Sequence, residues 1–322
     1  MHCTICKSKK TRKISSSFTG FIDGTSYEIF ECKECDTKFI SLENFDTKIY
    51  DTIYSNETTH GYARYLKYAK EVKSQKNPLK YLSSQESTYY PIYAFLKDKP
   101  KLEILEIGCG YGYLTYSLRS SGHDVTGIDI SKKAIDFAST HFGDHFKAAD
   151  LKNFAPDQKF DLIIATELIE HLTDPTEFIA RCVNLLNPEG KIIVTTPNNE
   201  YCKNAIWRTD LPPVHTTWLS KNSFKHIAQK ENLNCEFVDF TNHVSKSENK
   251  LASYLFMKST YKNLPLPALD KDGRPYRKRT NTILRRVAEK ILFFAPVRHA
   301  SAKIHNIISK EHYCLGVILW KK

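Results

Sequence analysis

Short apolar runs alternate with amphipathic stretches of helical period through residues 101–240. The clearest apolar runs lie at 102–107, 125–128 and 160–166, and each ends at a glycine or a polar residue. Regular alternation of strands with helices predicts a doubly wound α/β sheet with mostly parallel strands. The same reasoning places further strands at 145–149, 191–196, 235–240 and 313–320. Ser131, Asp174 and Ser220 stand where helix N-caps are expected.

A glycine-rich turn follows the first of these apolar runs. Residues 106–112 read EIGCGYG, and the second run ends on Asp129. Glycines let the backbone approach a ligand closely, the N-terminus of the next helix offers unpaired N–H groups, and an acid at a strand end can grip a ribose diol. The spacing is not GxGxxG, which argues against a nicotinamide-linked dehydrogenase. The segment therefore predicts a nucleoside-containing ligand of another kind.

Two CxxC pairs, Cys3 with Cys6 and Cys32 with Cys35, stand near the N-terminus, 25 residues apart. Two such knuckles can supply four thiolates to one tetrahedral Zn²⁺, and a closed site of this kind is structural rather than catalytic. The alternative is four unpaired surface cysteines. The pattern predicts a zinc ribbon over residues 1–45, in a segment too small to fold on its own core.

Tyrosines are concentrated in the next segment, residues 46–100, and the 61–72 stretch has helical spacing. The tyrosines are Tyr50, Tyr54, Tyr62, Tyr65, Tyr68, Tyr81, Tyr89, Tyr90 and Tyr93. Two interpretations remain open, namely core packing and a helical lid or linker over the ligand site. Residues 101–242 and 311–322 then form the predicted sheet domain, and 243–310 are an insertion before the last strand.

Composition narrows the function classes. A chain of 322 residues with 41% apolar residues can bury a real core. We find no 18-residue apolar run and no apolar stretch typical of a signal peptide, so neither a membrane span nor secretion is expected. Together with paired cysteines at metal spacing, this favours a cytoplasmic protein.

Positive charge is concentrated in the last quarter of the chain. Residues 241–322 hold 17 basic and 5 acidic residues and so carry a net charge of +12. The whole sequence has a net charge of +11, so the rest of the chain is nearly neutral. The 283–294 stretch has an apolar face opposite a basic one. Three interpretations of 274–310 remain open: peripheral contact with an anionic membrane at its inner face, an ordinary helix with a solvated basic side, and nucleic-acid binding.

A second group of chemically active residues follows the fourth predicted strand. Glu167, Glu170 and His171 form an ExxEH pattern, in which side chains at i, i+3 and i+4 can share one face of a helical turn. Residues 196–200 (TPNNE) and His215 come later. Ligands of open α/β sheets bind at the carboxyl ends of the strands, so this turn is expected to face the ligand.

The ExGxGxG segment, the acids at 129 and 150, the 160–171 strand and turn, and the NPxG turn at 187–190 together resemble the class I S-adenosylmethionine-dependent methyltransferases. The resemblance covers about residues 90–240 and the last strand. It implies a Rossmann-like seven-stranded sheet whose last strand is antiparallel. It also implies that S-adenosylmethionine is held by Glu106, Gly108, Cys109, Gly110, Gly112, Asp129, Ile130, Asp150, Leu151 and Thr166.

Within that family, ExxEH, TPNxE and the later histidine resemble the ubiquinone-type O-methyltransferases with the bacterial glycan methyltransferases, and also the small-RNA 3′-terminal 2′-O-methyltransferases. The resemblance implies a divalent ion, Mg²⁺ or Mn²⁺, held by Glu167, Glu170, His171 and His215. A metal-free alternative makes His171 or His215 a general base with Glu170 beside it. Helix capping and packing alone are the third interpretation.

These observations predict a methyltransferase that acts on a sugar hydroxyl of a cell-surface polysaccharide precursor or of a lipid- or nucleotide-linked saccharide. An RNA 2′-O-methyltransferase and a sugar C-methyltransferase are the alternatives within the same chemistry. A non-catalytic binding module is disfavoured by the intact cofactor motifs. The sequence makes no prediction of the oligomeric state.

Overall fold

The computed structural model describes residues 1–41, 49, 63–202, 205–207, 209–246, 249, 258–260, 264–275, 291–309 and 311–322. Tyr50, Tyr54 and Tyr62 lie outside these residues, as does most of the helix predicted at 283–294.

The strands are β1 (Thr11–Thr19), β2 (Ser26–Cys32), β3 (Lys38–Ile40), β4 (Glu103–Ile107), β5 (Asp124–Asp129), β6 (Phe146–Ala148), β7 (Phe160–Thr166), β8 (Leu186–Pro197), β9 (Ala205–Trp207), β10 (Thr217–Trp218), β11 (Leu233–Phe237), β12 (Lys258–Thr260) and β13 (Cys314–Lys321). The α-helices are α1 (Ala63–Glu71), α2 (Pro78–Gln85), α3 (Tyr90–Leu96), α4 (Tyr113–Ser120), α5 (Lys132–Phe142), α6 (Pro175–Leu185), α7 (Lys221–Lys230) and α8 (Ala295–Ile308).

The main sheet of the described residues has seven strands in the order β11-β13-β8-β7-β4-β5-β6. Neighbouring strands from β8 to β6 pair in parallel, whereas β13 is antiparallel to both β8 and β11. The predicted doubly wound sheet with an antiparallel last strand is therefore confirmed. The strand order reverses beside β4, and this places the ends of β4, β5 and β7 around one crevice.

Side chains alternate between the two faces of this sheet, as strand geometry requires. Leu105 of β4 and Ile163 of β7 pack in one apolar cluster, while Ile104 and Leu162 pack in the other. The first cluster includes residues of α6, α7 and the cysteine-containing segment, and the second includes residues of α1 to α4. The strands are apolar on both faces because both faces are covered.

The three predicted N-caps are confirmed. The Ser131 hydroxyl accepts from the Ala134 N–H at the start of α5, and the Asp174 carboxylate accepts from the Glu177 N–H at the start of α6. Ser220 forms a reciprocal capping box with Ser223 at the start of α7. These contacts satisfy N–H groups that have no partner inside the helix.

Residues 1–41, called the ribbon below, form β1, β2 and β3. Their antiparallel sheet continues onto β10, so a strand from the loop after the main-sheet strand β8 completes it. Phe39 pairs with Thr217, and the Ile40 N–H donates to the Thr216 carbonyl over 3.1 Å. The ribbon is therefore joined by backbone hydrogen bonds to the chain that follows His215.

No helix among the described residues combines the length and the apolar character needed to cross a bilayer.

Candidate functional site

The glycine turn leaves β4 at the edge where the parallel strands end. Gly108, Gly110 and Gly112 have φ angles of +75°, +50° and +76°, a region that residues with a Cβ rarely adopt. A Cβ on Gly112 would lie 2.6 Å from the Phe146 ring and 2.7 Å from the Ala138 Cβ. Glycine is therefore required at position 112 both by backbone conformation and by space.

Asp129 ends β5 beside this turn. Its carboxylate accepts from the Gly110 N–H over 2.9 Å and from the Ser131 N–H over 2.8 Å. Burial raises the pKa of Asp129, and these two backbone N–H groups oppose that shift. The adjoining Ile130 is 62% exposed. The structure thus joins Gly110 to Asp129 by a hydrogen bond, and the cofactor contacts expected of Gly110, Asp129 and Ile130 stay predictions.

Glu106 and residues 150–151 take less direct positions. Glu106 is buried, its carboxylate accepts from the Thr115 hydroxyl of α4, and burial together with the charge of Asp129 raises its pKa to about 8. Asp150 is exposed and accepts from the Lys152 N–H over 2.9 Å, while Leu151 is buried at the sheet face. The cofactor contacts expected of these residues stay predictions.

Aromatic residues from the predicted lid pack beside the turn. Tyr113 follows Gly112 directly, and its hydroxyl lies 2.7 Å from that of Tyr89. Tyr65 stacks on Tyr113 with ring centroids 6.3 Å apart, and Arg64 forms a 2.6 Å ion pair with Glu86. Tyr68, Tyr89 and Tyr113 belong to the apolar cluster of α1 to α4, as core packing requires. The lid interpretation stays a prediction.

Glu170, His171 and His215 form what we call the acceptor-side cluster. One potential ligand atom from each lies within 4.8 Å of the others. Glu170 is 1% exposed, its Oε2 accepts from the Thr196 hydroxyl over 2.9 Å, and its Oε1 has no hydrogen-bond partner among the described residues. His215 is buried, and its Nδ1 likewise has no partner there. Buried polar atoms without partners are rare in folded proteins, and a bound ion, a water molecule or a substrate group can supply the missing partner.

The orientation of His171 follows from a backbone contact. Its Nδ1 lies 2.6 Å from the Val214 carbonyl and donates to it, because a carbonyl can only accept. Nε2 is then directed into the cluster, 3.9 Å from Glu170 Oε1. The ring of His215 lies edge-on to that of His171, with centroids 4.7 Å apart. Burial lowers the pKa of both histidines, which favours neutral imidazoles that can bind a cation or accept a proton.

Glu167 lies at the edge of this cluster. It has a φ of +50°, and its carboxylate accepts from the Thr88 hydroxyl over 3.1 Å. Burial raises its pKa to about 7, against the attraction of Arg64. The metal-ligand geometry found among the described residues comprises Glu170, His171 and His215 without Glu167. The fourth ligand expected from the sequence therefore stays a prediction.

Sequence reasoning missed one acid. Asp210 is buried, its Oδ2 has no hydrogen-bond partner among the described residues, and burial raises its pKa to about 7. Its charge acts on Glu170, so the two carboxylates lie near each other. The available signal was an acid directly before Leu211-Pro212-Pro213 in the loop that carries His215.

The four N-terminal cysteines converge as predicted. Their sulfur atoms all lie within 4.8 Å of one another, with 3.4 Å between Cys3 and Cys35 and 3.5 Å between Cys6 and Cys32. Thiolates about 2.3 Å from a tetrahedral Zn²⁺ would be about 3.8 Å apart. The Ile5 N–H donates to Cys3 and the Glu34 N–H to Cys32, each over 3.4 Å. The donor set and its spacing fit a zinc ion.

Comparisons with known proteins agree with this geometry. Residues 81–237 match a family model described as a methyltransferase domain. The ubiquinone biosynthesis O-methyltransferase of Coxiella burnetii is 33% identical over 130 residues, which cover 38% of this chain and 54% of that protein. The enzyme of the same description from Rhodopseudomonas palustris is 37% identical over 105 residues, covering 31% and 42%. The chain thus spans about half the length of the curated relatives it matches.

A solved structure described as a TehB-like SAM-dependent methyltransferase from Corynebacterium glutamicum overlaps 81% of this chain and 97% of its own. The sequence identity is 16% and the TM-score is 0.43. The match to the family model, the hydrogen bond between the glycine turn and Asp129, and the seven-stranded sheet are three further observations, and all three fit a methyltransferase fold. Residues 81–237 are a class I S-adenosylmethionine-dependent methyltransferase domain.

Proposed function

We propose that this protein transfers a methyl group from S-adenosylmethionine to a sugar hydroxyl of a cell-surface polysaccharide precursor or of a lipid- or nucleotide-linked saccharide. The observation that carries the proposal is the acceptor-side cluster, in which Glu170 Oε1 and His215 Nδ1 are buried with no hydrogen-bond partner among the described residues. Hydroxyl groups offer both a donor and an acceptor to such atoms. The relatives described as O-methyltransferases support an oxygen nucleophile.

The protein's own residues supply positioning and a proton acceptor in this proposal. Asp129 and the glycine turn hold the donor at the ends of β4 and β5, and Glu170 with His171 follows the neighbouring strand β7. Methyl transfer from a sulfonium requires chiefly an aligned nucleophile, so this arrangement provides most of what the reaction needs. His171 Nε2 faces the cluster and accepts the hydroxyl proton in the metal-free form of the proposal.

The acceptor-side cluster also fits a divalent ion such as Mg²⁺ or Mn²⁺. Glu170 and His171 supply a carboxylate oxygen and an imidazole nitrogen, His215 supplies a second imidazole, and one atom of each lies within 4.8 Å of the others. A bound cation would act as a Lewis acid that lowers the pKa of the acceptor hydroxyl. We propose separately that Cys3, Cys6, Cys32 and Cys35 bind structural Zn²⁺.

Methyl transfer to a panel of acceptors tests the proposed function. With radiolabelled S-adenosylmethionine, we expect transfer to sugar nucleotides or lipid-linked saccharides that carry neighbouring hydroxyls, and no transfer to their deoxy analogues. A small catechol and an RNA with a 3′-terminal diol are the comparison acceptors. Preferential methylation of the RNA or of the catechol would contradict a saccharide acceptor. A product whose new methyl group is not removed by chemical cleavage of methyl ethers would indicate methylation at carbon. Activity that is lost in EDTA and restored by Mn²⁺ would support the metal-dependent form of the proposal. Full activity in EDTA would support the metal-free form.

We also propose peripheral contact with an anionic membrane through residues 274–310 of the insertion. Phe294 at the start of α8 is 62% exposed and Ile307 near its end is 87% exposed, in a region with a net charge of +12. Exposed apolar side chains beside basic ones suit an interface of anionic lipids.

Vesicle binding tests this contact. We expect sedimentation with phosphatidylglycerol vesicles at low salt and weaker binding to phosphatidylcholine. Phe294→Ser should lower the affinity by about tenfold or more, since a buried aromatic side chain contributes on the order of 2 kcal/mol and 1.4 kcal/mol is tenfold. Leu266→Ser, at another exposed apolar position, serves as the control. Equal binding by Phe294→Ser, or none by the unaltered protein, would contradict the proposal.

A further inference from the structure

The four-cysteine site lies close in sequence to the strand that joins the ribbon to the methyltransferase domain. Only Asp36 and Thr37 separate Cys35 from β3, and β3 pairs with β10. β10 begins at Thr217, two residues after His215. Cys35, a proposed zinc ligand, and His215 of the acceptor-side cluster are therefore each within three residues of the paired strands β3 and β10.

Thr216 connects β3 to the turn that carries Glu170. Its carbonyl accepts from the Ile40 N–H over 3.1 Å, and its own N–H donates to the Glu170 carbonyl over 2.9 Å. Its hydroxyl lies 3.1 Å from the Glu170 carbonyl and 2.8 Å from that of Leu172. Thr216 is fully buried, so water cannot replace these hydrogen bonds without a structural change.

The knuckle end is held against α7 by a second buried network. The Cys35 carbonyl accepts from the hydroxyls of Ser220 and Ser223, each over 3.2 Å. The Thr37 hydroxyl lies 2.7 Å from that of Ser223 and 3.1 Å from the Cys35 sulfur. Thr37, Ser220 and Ser223 are fully buried. Movement of Cys35 would therefore leave several polar groups buried without partners.

The ribbon is too small to fold on a core of its own, so a bound metal would contribute to its folding free energy. Its apolar residues pack in clusters shared with the main domain, and its four sulfur atoms lie together without a disulfide. In a small segment of this kind, metal-binding free energy is folding free energy. Loss of the ion would loosen the knuckle and, through β3, the strand after His215.

We propose that the four-cysteine zinc site positions the acceptor side of the active site, through the β3–β10 pairing and Thr216, while leaving the S-adenosylmethionine side unaffected. This rests on the proposed function for the role of His171 and His215. We expect the donor side to be unaffected because Gly110 and Asp129 are held by hydrogen bonds to each other and to Ser131, none of which involves the ribbon. Thr216 is accordingly a positioning residue and not a catalytic one.

Two full-length variants test the proposal. Cys6→Ser is expected to lose its zinc, measured by atomic emission. Thr216→Val keeps the zinc but removes the hydroxyl contacts to Glu170 and Leu172. In both we expect the imidazole ¹⁵N resonances of His171 and His215 to shift, and Mn²⁺ affinity to fall by about tenfold or more, as for the loss of outer-shell partners of a metal site. The affinity for S-adenosylmethionine, measured by calorimetry, should stay within about twofold, well under the tenfold that 1.4 kcal/mol represents.

Matched controls are Cys235→Ser, at a cysteine far from the ribbon in sequence, and Thr140→Val, whose hydroxyl also binds a backbone carbonyl. Unchanged histidine resonances in both test variants would overturn the proposal. So would an equal loss of S-adenosylmethionine affinity, because the ribbon would then stabilise the whole domain. Shifted resonances without any Mn²⁺ binding by the unaltered protein would support the positioning role and contradict the cation site instead. If Cys6→Ser fails to fold, Thr216→Val decides the matter with zinc bound.

Discussion

Glu170→Gln is expected to lower kcat/KM for the acceptor by about 100- to 10,000-fold, the range typical of losing a group that aids proton transfer at the reacting atom. Glutamine keeps the volume of the side chain and an oxygen for the 2.9 Å hydrogen bond from Thr196. It removes the carboxylate whose Oε1 lies 3.9 Å from His171 Nε2 and has no hydrogen-bond partner in the part of the chain that the structure describes. Affinity for S-adenosylmethionine should not change. Single-turnover methyl transfer and calorimetry measure the two effects separately.

Glu177→Gln, at an exposed glutamate of α6 that pairs with Arg181, controls for loss of charge. Glu167→Gln is expected to have a smaller effect than Glu170→Gln, because the Glu167 carboxylate already accepts from Thr88. Mn²⁺ affinity gives a readout that needs no acceptor. Activity within about threefold of the unaltered protein in Glu170→Gln, far below the usual effect of general acid–base groups, would contradict its assignment.

Asp129→Asn is expected to raise the Kd for S-adenosylmethionine by about 10- to 100-fold. A hydrogen bond to a charged group contributes about 1.5–3 kcal/mol, and 1.4 kcal/mol is tenfold in affinity. Gly110 and Ser131 donate to different oxygens of Asp129, so asparagine keeps only one of these two hydrogen bonds, and part of the weakening would arise through the turn. Isothermal titration calorimetry measures the effect directly.

The control lies on the same strand. Asp124 begins β5 at its opposite end and pairs with Arg119 over 2.9 Å. Asp124→Asn removes the same charge from the same strand without touching the crevice, so it should bind S-adenosylmethionine normally. An equal weakening in the two variants would mean that the strand is destabilised and that Asp129 has no specific role in binding.

Local signals in the sequence were sufficient for the core of the fold. Ser131, Asp174 and Ser220 were predicted as N-caps and are confirmed, because a cap is a contact between residues three apart. The apolar runs predicted the central strands, since strands covered on both faces are mostly apolar. The ribbon's fourth strand was not predicted, because β10 has only two residues and its Thr217 pairs with Phe39, which lies 178 residues earlier.

Some residues of the candidate site were likewise identified from local sequence patterns, and one was identified only from the structure. The glycine turn and Asp129 were found from spacing, and the structure holds them together by a hydrogen bond from Gly110. Glu170 and His171 were found because they are neighbours in one turn. Asp210 was missed, and its meaning comes from burial beside Glu170, which no local pattern encodes.

The sequence by itself identified the glycine turn with Asp129 and most of the residues that converge at the two proposed metal sites. Those features depend on glycine conformation, on strand-end acids and on residue spacing, all of which act over short stretches of chain. Only the tertiary structure decided which carboxylate faces the histidines and which residue ties them to the ribbon. His215 meets His171 across 44 residues, and Thr216 joins Ile40 to Glu170. Such contacts depend on packing and on the need to pair buried polar groups, which are set once the whole chain has folded.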